Sequence, residues 1–98
     1  MIRHIVLFKI KPEYKEEIPS IVKGFYSMVG KVDGLVSLEA GADFLGSQRS
    51  YDVALVTVFR DRASFDAYQD HPAHLPVKKR MHEVRESSVA CDYVIEEA

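Results

Sequence analysis

The chain has 98 residues, of which 47% are apolar, and a formal net charge of −2 from 13 basic and 15 acidic residues. This length predicts one domain over residues 1–98, and the balanced charge provides no basic stripe for nucleic acid or an anionic membrane surface. The single cysteine, Cys91, excludes an internal disulfide and a thiolate metal cluster, which favours a reducing, cytoplasmic setting.

The first ten residues predict a strand. Ile2 to Ile10 is rich in β-branched and aromatic residues, and it is far too short and too interrupted to be a membrane span or a cleaved signal. We therefore expect this strand to begin the mature protein. Both alternating sets are largely apolar, which is typical of a strand that is covered on both faces. One set contains His4, Val6, Phe8 and Ile10, and the other contains Ile5 and Leu7.

A helix is predicted after Pro12, with Pro19 in its first turn and its end around Gly30 to Gly34. Apolar residues then recur every three or four positions, which predicts one stripe facing the core. The stripe consists of Ile18, Ile21, Val22, Phe25, Val29 and Val32.

The second half of the chain predicts two strands, a broken helix and a last strand. Leu35 to Ala42 is a weaker strand signal, and Tyr51 to Phe59 is the strongest in the chain. Asp61 offers an N-cap for a short helix that should stop at His71, because the residue before a proline is pushed out of the α region. Pro76 fits the first turn of a continuing helix, whose charged segment 78–86 we interpret as a solvent-exposed face, and Ser88 to Ile95 predicts the final strand.

The resulting order, βαββαβ, predicts an α+β, ferredoxin-like fold with a four-stranded antiparallel sheet and two helices on one face. The other face would then be an apolar patch too large to leave in water, so we expect two sheets to pack face to face in a homodimer. An error of register or strand order is the competing explanation. The residues expected on this face are Ile5, Leu7, Ala54, Val56, Val58, Val89, Cys91 and Tyr93.

Two segments resemble a known family: Arg3-His4-Ile5-Val6-Leu7-Phe8 and Tyr68-Gln69-Asp70-His71-Pro72-Ala73-His74 are similar to the stress-responsive A/B barrel family. The resemblance extends over the whole chain, and it implies a dimeric α+β barrel. Activities differ within that family, which includes plant stress-induced proteins, stable ring assemblies and a polyketide cyclase that performs an intramolecular aldol condensation. Membership therefore does not name a substrate.

In the cyclase branch, the resemblance implies catalytic roles for Tyr68 and His74, with Asp92 orienting the histidine. Such chemistry needs a base of near-neutral pKa to remove a proton beside a carbonyl, and a donor for the oxygen that becomes negative. The same resemblance implies that the face of the first strand that carries His4 lines a pocket for a small hydrophobic, phenolic or polyketide-like carbonyl compound. The residues expected to bind this ligand are His4, Val6, Phe8, Val22, Phe25, Leu55, His71, Ser88 and Ala90.

Structural roles are the alternative for each of these residues. His71 and Pro72 together could simply end a helix, Tyr68 could be a core aromatic, and His4 a hydrogen-bonded core histidine. Asp92 could pair with any nearby base. A metal held by His71 and His74 is disfavoured, because the proline between them breaks the helical geometry, so we expect no metal and no cofactor.

Three functions stay open from the sequence. If the protein is an enzyme that uses acid–base catalysis, it should have a pocket that Tyr68, His74 and His4 all face. A non-catalytic stress-response binding or assembly module predicts that the same groups are satisfied by backbone atoms, with no room for a ligand. A cofactor-independent monooxygenase or a haem-related activity is a third hypothesis, by analogy of fold alone.

Overall fold

A computed structural model describes residues 1–96 of the chain and places four strands in one antiparallel sheet. The strands are β1 (Ile2–Ile10), β2 (Leu35–Ala42), β3 (Val53–Phe59) and β4 (Arg85–Val94), and they lie in the order β2-β3-β1-β4. The predicted α+β, ferredoxin-like architecture is thereby confirmed. The two long strands β1 and β4 are hydrogen-bonded neighbours, so residues from opposite ends of the chain face each other across the sheet.

The helices lie on one face of this sheet. A short 3-10 helix, Pro12–Glu17, leads into α1 (Ile18–Tyr26), and the second helical region is divided into α2 (Arg62–Tyr68) and α3 (Leu75–Val84). Pro19 and Pro76 stand in the first turns of α1 and α3, as predicted, and the Asp61 carboxylate caps α2 by accepting from the Ser64 amide at 2.8 Å. None of the helices in residues 1–96 has the length and hydrophobicity needed to cross a membrane.

Two predicted helical features are wrong in detail. The second helix is broken within the motif, as predicted, but it ends at Tyr68, three residues before the predicted end at His71. The first helix ends at Tyr26. After it, the Met28 and Val29 amides donate to the carbonyl oxygens three residues earlier, those of Phe25 and Tyr26. A three-residue period places Met28 below Phe25 in the core and turns Val29 outward, where 56% of it is exposed.

The strand register places the predicted pocket residues on the helix-covered face. His4 lies opposite Thr57 of β3 and opposite Asp92 of β4, while Val6 lies between Leu55 and Ala90. Because side chains alternate along a strand, all of these project toward the helices. The main core on this face is closed by aromatic and aliphatic side chains, among them Phe8, Ile10, Phe25, Met28, Val53, Leu55, Phe59, Tyr68 and Val84.

The opposite face of the sheet is apolar and lacks a covering element within residues 1–96. Ile5, Leu7 and Val56 are only partly buried there, and Val89 and Tyr93 are 47% and 40% exposed. The alternation expected from the sequence is confirmed, because these residues pair with one another across β1, β3 and β4. A single chain therefore leaves a broad apolar surface in contact with water.

Candidate functional site

A cavity of about 150 Å³ lies between the sheet and the helices, at the place where the family-like motif meets β1. It is bounded below by the strands, above by α3, and at one end by the segment that joins α2 to α3. A void beside His74 is what the acid–base hypothesis requires. Eight of the twelve predicted site residues line it: His4, Val6, Phe8, Phe25, Leu55, Tyr68, His74 and Ser88.

Tyr68 is the most buried polar aromatic of this cavity, with only 1% of its surface exposed. Its ring stacks on the imidazole of His74, with 3.8 Å between centroids and 17° between planes. The hydroxyl donates to the Met28 Sδ atom at 3.8 Å, and a thioether is a weak acceptor. Burial raises the pKa of Tyr68 to about 12. The phenol therefore stays protonated at neutral pH and remains able to donate to a better acceptor.

His74 is held by the backbone of the preceding helix. Its Nδ1 lies 2.9 Å from the Tyr68 carbonyl oxygen, and a carbonyl can only accept, so Nδ1 carries the proton and Nε2 carries the lone pair. Burial lowers the pKa of His74, and backbone hydrogen bonds to Tyr68 and Gln69 only partly oppose that shift. His74 is therefore a neutral imidazole at the cavity wall at pH 7, with its lone pair on Nε2.

Asp92 pairs with His4 rather than with His74. The two residues lie directly opposite each other on β1 and β4, and the His4 Nδ1 is hydrogen-bonded to the Asp92 carboxylate. The prediction that Asp92 orients His74 is therefore wrong, because strand register brings the carboxylate to a different histidine. The His4 ring packs edge-on against Phe65 and Tyr68, with centroids 5.4 and 6.4 Å away. Its Nε2 is the ring nitrogen that the carboxylate leaves available.

Four predicted site residues do not line the cavity: Val22, His71, Ala90 and Asp92. His71 Nδ1 accepts the Ala73 amide at 3.0 Å, so this imidazole stabilises the turn between the two helices, which is the structural role considered for it. Val22 packs against the core from α1, and Asp92 lies beside His4 on the neighbouring strand β4. In residues 1–96 no three His, Cys, Asp or Glu side chains come together in a way that could hold a metal ion.

Six further residues complete the lining and were not predicted from the sequence: Gln69, Val77, Lys78, Met81, His82 and Arg85. Val77 and Met81 are one turn apart on α3, so their apolar spacing was a usable signal. Lys78 and Arg85 belong to the segment interpreted as solvent-exposed, yet both are half-buried over the cavity. That part of the interpretation is wrong, because Lys78 lies on the side of α3 that faces the sheet and Arg85 is the first residue of β4, so both long cationic side chains extend along the cavity wall.

Comparison with known proteins gives one family and one fold. The stress responsive A/B barrel domain matches residues 2–95. The Arabidopsis thaliana stress-response A/B barrel domain-containing protein DABB1 is 27% identical, and the match covers all of this chain and 49% of that protein. This chain thus spans about half the length of that relative.

Some of the solved structures similar to this one are described as dimeric. A dimeric ferredoxin-like protein of unknown function from Thermobifida fusca is 25% identical with a TM-score of 0.86, covering 96% of this chain and 90% of that one. A hydroxynitrile lyase from Passiflora edulis has a TM-score of 0.84 at 20% identity, covering 99% and 94%. At that identity, the likeness to the lyase shows a shared fold alone.

Proposed function

The chain belongs to the stress responsive A/B barrel domain family, and we propose that it binds a small carbonyl compound beside His74 and catalyses proton transfer at the adjacent carbon. One observation carries the proposal. A single cavity is lined by a neutral imidazole, a second imidazole paired with a carboxylate, and a buried phenol whose partner is a weak acceptor.

His74 is the proposed base. Its Nε2 takes the proton from the carbon next to the carbonyl, and the electron pair of the broken C–H bond moves into the carbonyl to form an enolate. A base whose pKa lies close to or below neutral keeps its lone pair free at pH 7, which favours this step. Hydrogen bonding of Nδ1 to a backbone carbonyl fixes the tautomer that the step needs.

Tyr68 and His4 are the proposed donors to the enolate oxygen. The phenol exchanges a poor thioether contact for an anionic acceptor, so its hydrogen bond strengthens as negative charge develops. Asp92 acts through His4, since a carboxylate on Nδ1 compensates positive charge on the imidazole when Nε2 carries a proton. If the same compound has a second carbonyl within reach, the enolate carbon attacks it, and the alkoxide that forms takes the proton back from His74 Nε2, which completes an aldol cyclisation and regenerates the base.

The size of the cavity limits the compound. A volume of about 150 Å³ accommodates roughly one six-membered ring of non-hydrogen atoms, because an engineered protein cavity of that size takes up benzene. Within the hydrophobic, phenolic and polyketide-like classes, the structure supports the smallest members. Polycyclic compounds would need α3 to move away from the sheet.

We also propose that the functional unit is a homodimer formed through the exposed sheet face. The apolar side chains of β1, β3 and β4 on that face are the feature that a second sheet would bury, and similar structures are described as dimeric. Pairing two such sheets closes a barrel and leaves each helix layer, with its cavity, on the outside.

A non-catalytic binding module is the second candidate. The stacked Tyr68 and His74 rings and the bond from His74 to the backbone are also what a well-packed core requires. This alternative predicts ligand binding without any acceleration of proton exchange.

Proton exchange in deuterated water separates the two candidates. Proton NMR should show the hydrogens beside the carbonyl of cyclohexanone or 4-oxopentanoate exchanging faster with the protein than with buffer. We expect His74→Ala to reduce the acceleration about a hundredfold, because it removes the general base. Lys79→Ala is the control, since this exposed side chain on α3 lies outside the cavity, and it should leave the rate unchanged.

Tyr68→Phe tests the donor in the same assay. The substitution keeps the ring that stacks on His74 and removes only a hydroxyl bonded to sulfur, so we expect a loss of less than about 1 kcal/mol in stability. The exchange rate should still fall about tenfold.

An exchange rate equal to that of buffer, or equal rates for His74→Ala and the unmodified protein, would contradict the catalytic proposal and favour the binding module.

A further inference from the structure

We propose that the cavity has a cationic end, formed by Lys78 and Arg85, which binds the carboxylate of a small oxo acid. The inference rests on the proposed function for the opposite end, where His74 acts on the carbonyl. It assigns a chemical class to the substrate: a short carboxylic acid that also carries a ketone.

The Arg85 guanidinium is half-buried, and its side-chain hydrogen-bond partners in residues 1–96 are a hydroxyl and an imidazole nitrogen rather than a carboxylate. It donates to the Ser88 hydroxyl and, at 3.2 Å, to Nδ1 of His82. Because arginine has no acceptor, His82 Nδ1 must be unprotonated in this contact. Both partners line the same cavity as Arg85 itself. The guanidinium is thus held at the cavity wall by groups that leave its positive charge uncompensated.

Lys78 is the second cation of this end. It is half-buried, and its Nζ donates to the backbone carbonyl of Gln69 at 3.5 Å, a long and weak contact. It stands one turn after His74 on α3, so the two side chains lie on the same side of the helix. An ammonium in that position can approach a carboxylate separated from the carbonyl by two or three bonds.

No acidic residue lines the cavity, and none in residues 1–96 places a carboxylate within 4.0 Å of either cation. Some cations elsewhere in residues 1–96, such as Lys9 and Lys79, likewise have no carboxylate within 4.0 Å, but Lys78 and Arg85 are the two that line this cavity. Arg60, Arg62 and Arg80, which lie elsewhere on the surface, each pair with a carboxylate. Glu83, the nearest acid on α3, is engaged by Arg80 at 3.4 Å. Two partly desolvated cations without an anion provide a favourable position for a negatively charged ligand.

The dimensions agree with a short oxo acid. His74 and Lys78 are four residues apart, which is about 6 Å along the helix axis, and His82 is about 12 Å from His74. A cavity of about 150 Å³ holds roughly six to eight non-hydrogen atoms. A chain of five carbons with a ketone near one end and a carboxylate at the other matches both limits, with Lys78 as the first contact of the carboxylate.

The test compares 4-oxopentanoate with 4-oxopentanamide, which has the same number of non-hydrogen atoms and no charge. Calorimetric titration of the full chain should show the carboxylate binding at least about tenfold more tightly, because only it forms charge-assisted hydrogen bonds with the two cations. Lys78→Gln and Arg85→Gln should each reduce that preference. Lys79→Gln removes an exposed positive charge from the neighbouring position of α3 and should preserve it.

Several other outcomes would contradict the inference. Equal affinity for the two compounds, or a preference that survives in both cavity variants, would overturn the inference. So would a preference lost equally in Lys79→Gln, since it would reflect net charge alone. These results leave the proton-exchange proposal standing, because His74→Ala tests that separately and should itself retain the preference for the carboxylate. Failure of both compounds to bind would overturn the inference and the proposed carbonyl site together.

Discussion

His4 and His74, two of the three histidines that line the cavity, are held through the same ring nitrogen by acceptors of different charge. His74 donates from Nδ1 to a neutral carbonyl oxygen, whereas His4 donates from Nδ1 to the Asp92 carboxylate. This difference in partner is the reason for assigning the base to His74 and a donor oriented by a carboxylate to His4, although the two side chains are chemically identical.

Stability should depend on pH through His74. Burial lowers the pKa of His74 below its ordinary value of 6.5, so the unfolded chain binds more protons than the folded one as the pH falls through that value. The free energy of unfolding should therefore decrease from about pH 7 to about pH 5. His74→Gln keeps a donor for the Tyr68 carbonyl and cannot titrate, so its stability should change less over this interval.

Urea denaturation of the two proteins at both ends of this interval measures the difference. Parallel changes in the urea midpoint would show that other groups cause the acid sensitivity, and that His74 is not held in its neutral form by the fold.

At the level of elements, the interruption between α2 and α3 positions the site. Pro72 prevents one continuous helix, and the turn that replaces it brings His74 back onto the Tyr68 ring at the end of α2. In an unbroken helix, residues six apart would point to different sides. The sequence indicated that the helix must break near Pro72, but the stacking of the two rings follows from the path of the turn, which depends on contacts with the sheet.

The junction between β2 and α2 has a position that requires glycine. Gly34 has a φ of +84°, and a Cβ built on it would overlap the Ser64 side chain at the start of α2. Gly30 has a similar φ of +80° but open space around it. Gly34→Ala should therefore destabilise the protein by about 1–3 kcal/mol more than Gly30→Ala. Both variants place an alanine in the left-handed backbone region, but only the methyl group at position 34 overlaps a neighbouring side chain.

Chemical denaturation of the two glycine variants under identical conditions tests this comparison. Equal losses of stability would mean that α2 can shift to make room for the new methyl group, and that the approach of this helix to β2 is not tightly specified.

At the level of the whole molecule, the two faces of the sheet have different surroundings. Its helix-covered face forms the core and the cavity, whereas its other face is apolar and open in residues 1–96. Val56 lies near the middle of the open face, on a strand that pairs with both β1 and β2. A charge there would have to be buried without a partner if a second sheet packed on it.

Val56→Asp should therefore dissociate the proposed homodimer. Light scattering coupled to size-exclusion chromatography should report the mass of two chains for the unmodified protein and of one chain for the variant. Val29→Asp is the control, because it introduces the same charge at an exposed position outside the sheet and should leave the mass unchanged. A monomeric unmodified protein would contradict the dimer, and a dimeric Val56→Asp would place the interface elsewhere.

The sequence alone determined the order of elements, the two faces of the sheet and the motif that carries Tyr68 and His74. The first two depend on local periodicity and on proline, which act over a few residues and can be recognised without a structure, whereas the motif was recognised by its resemblance to a known family. Only the tertiary structure decided which histidine Asp92 contacts, because strands β1 and β4 come from opposite ends of the chain and their register is a long-range property. The same reason explains Lys78 and Arg85: their charge suggested exposure to solvent, and only the packing of α3 over the sheet and the path of the chain into β4 place them at a cavity without an acidic partner in residues 1–96.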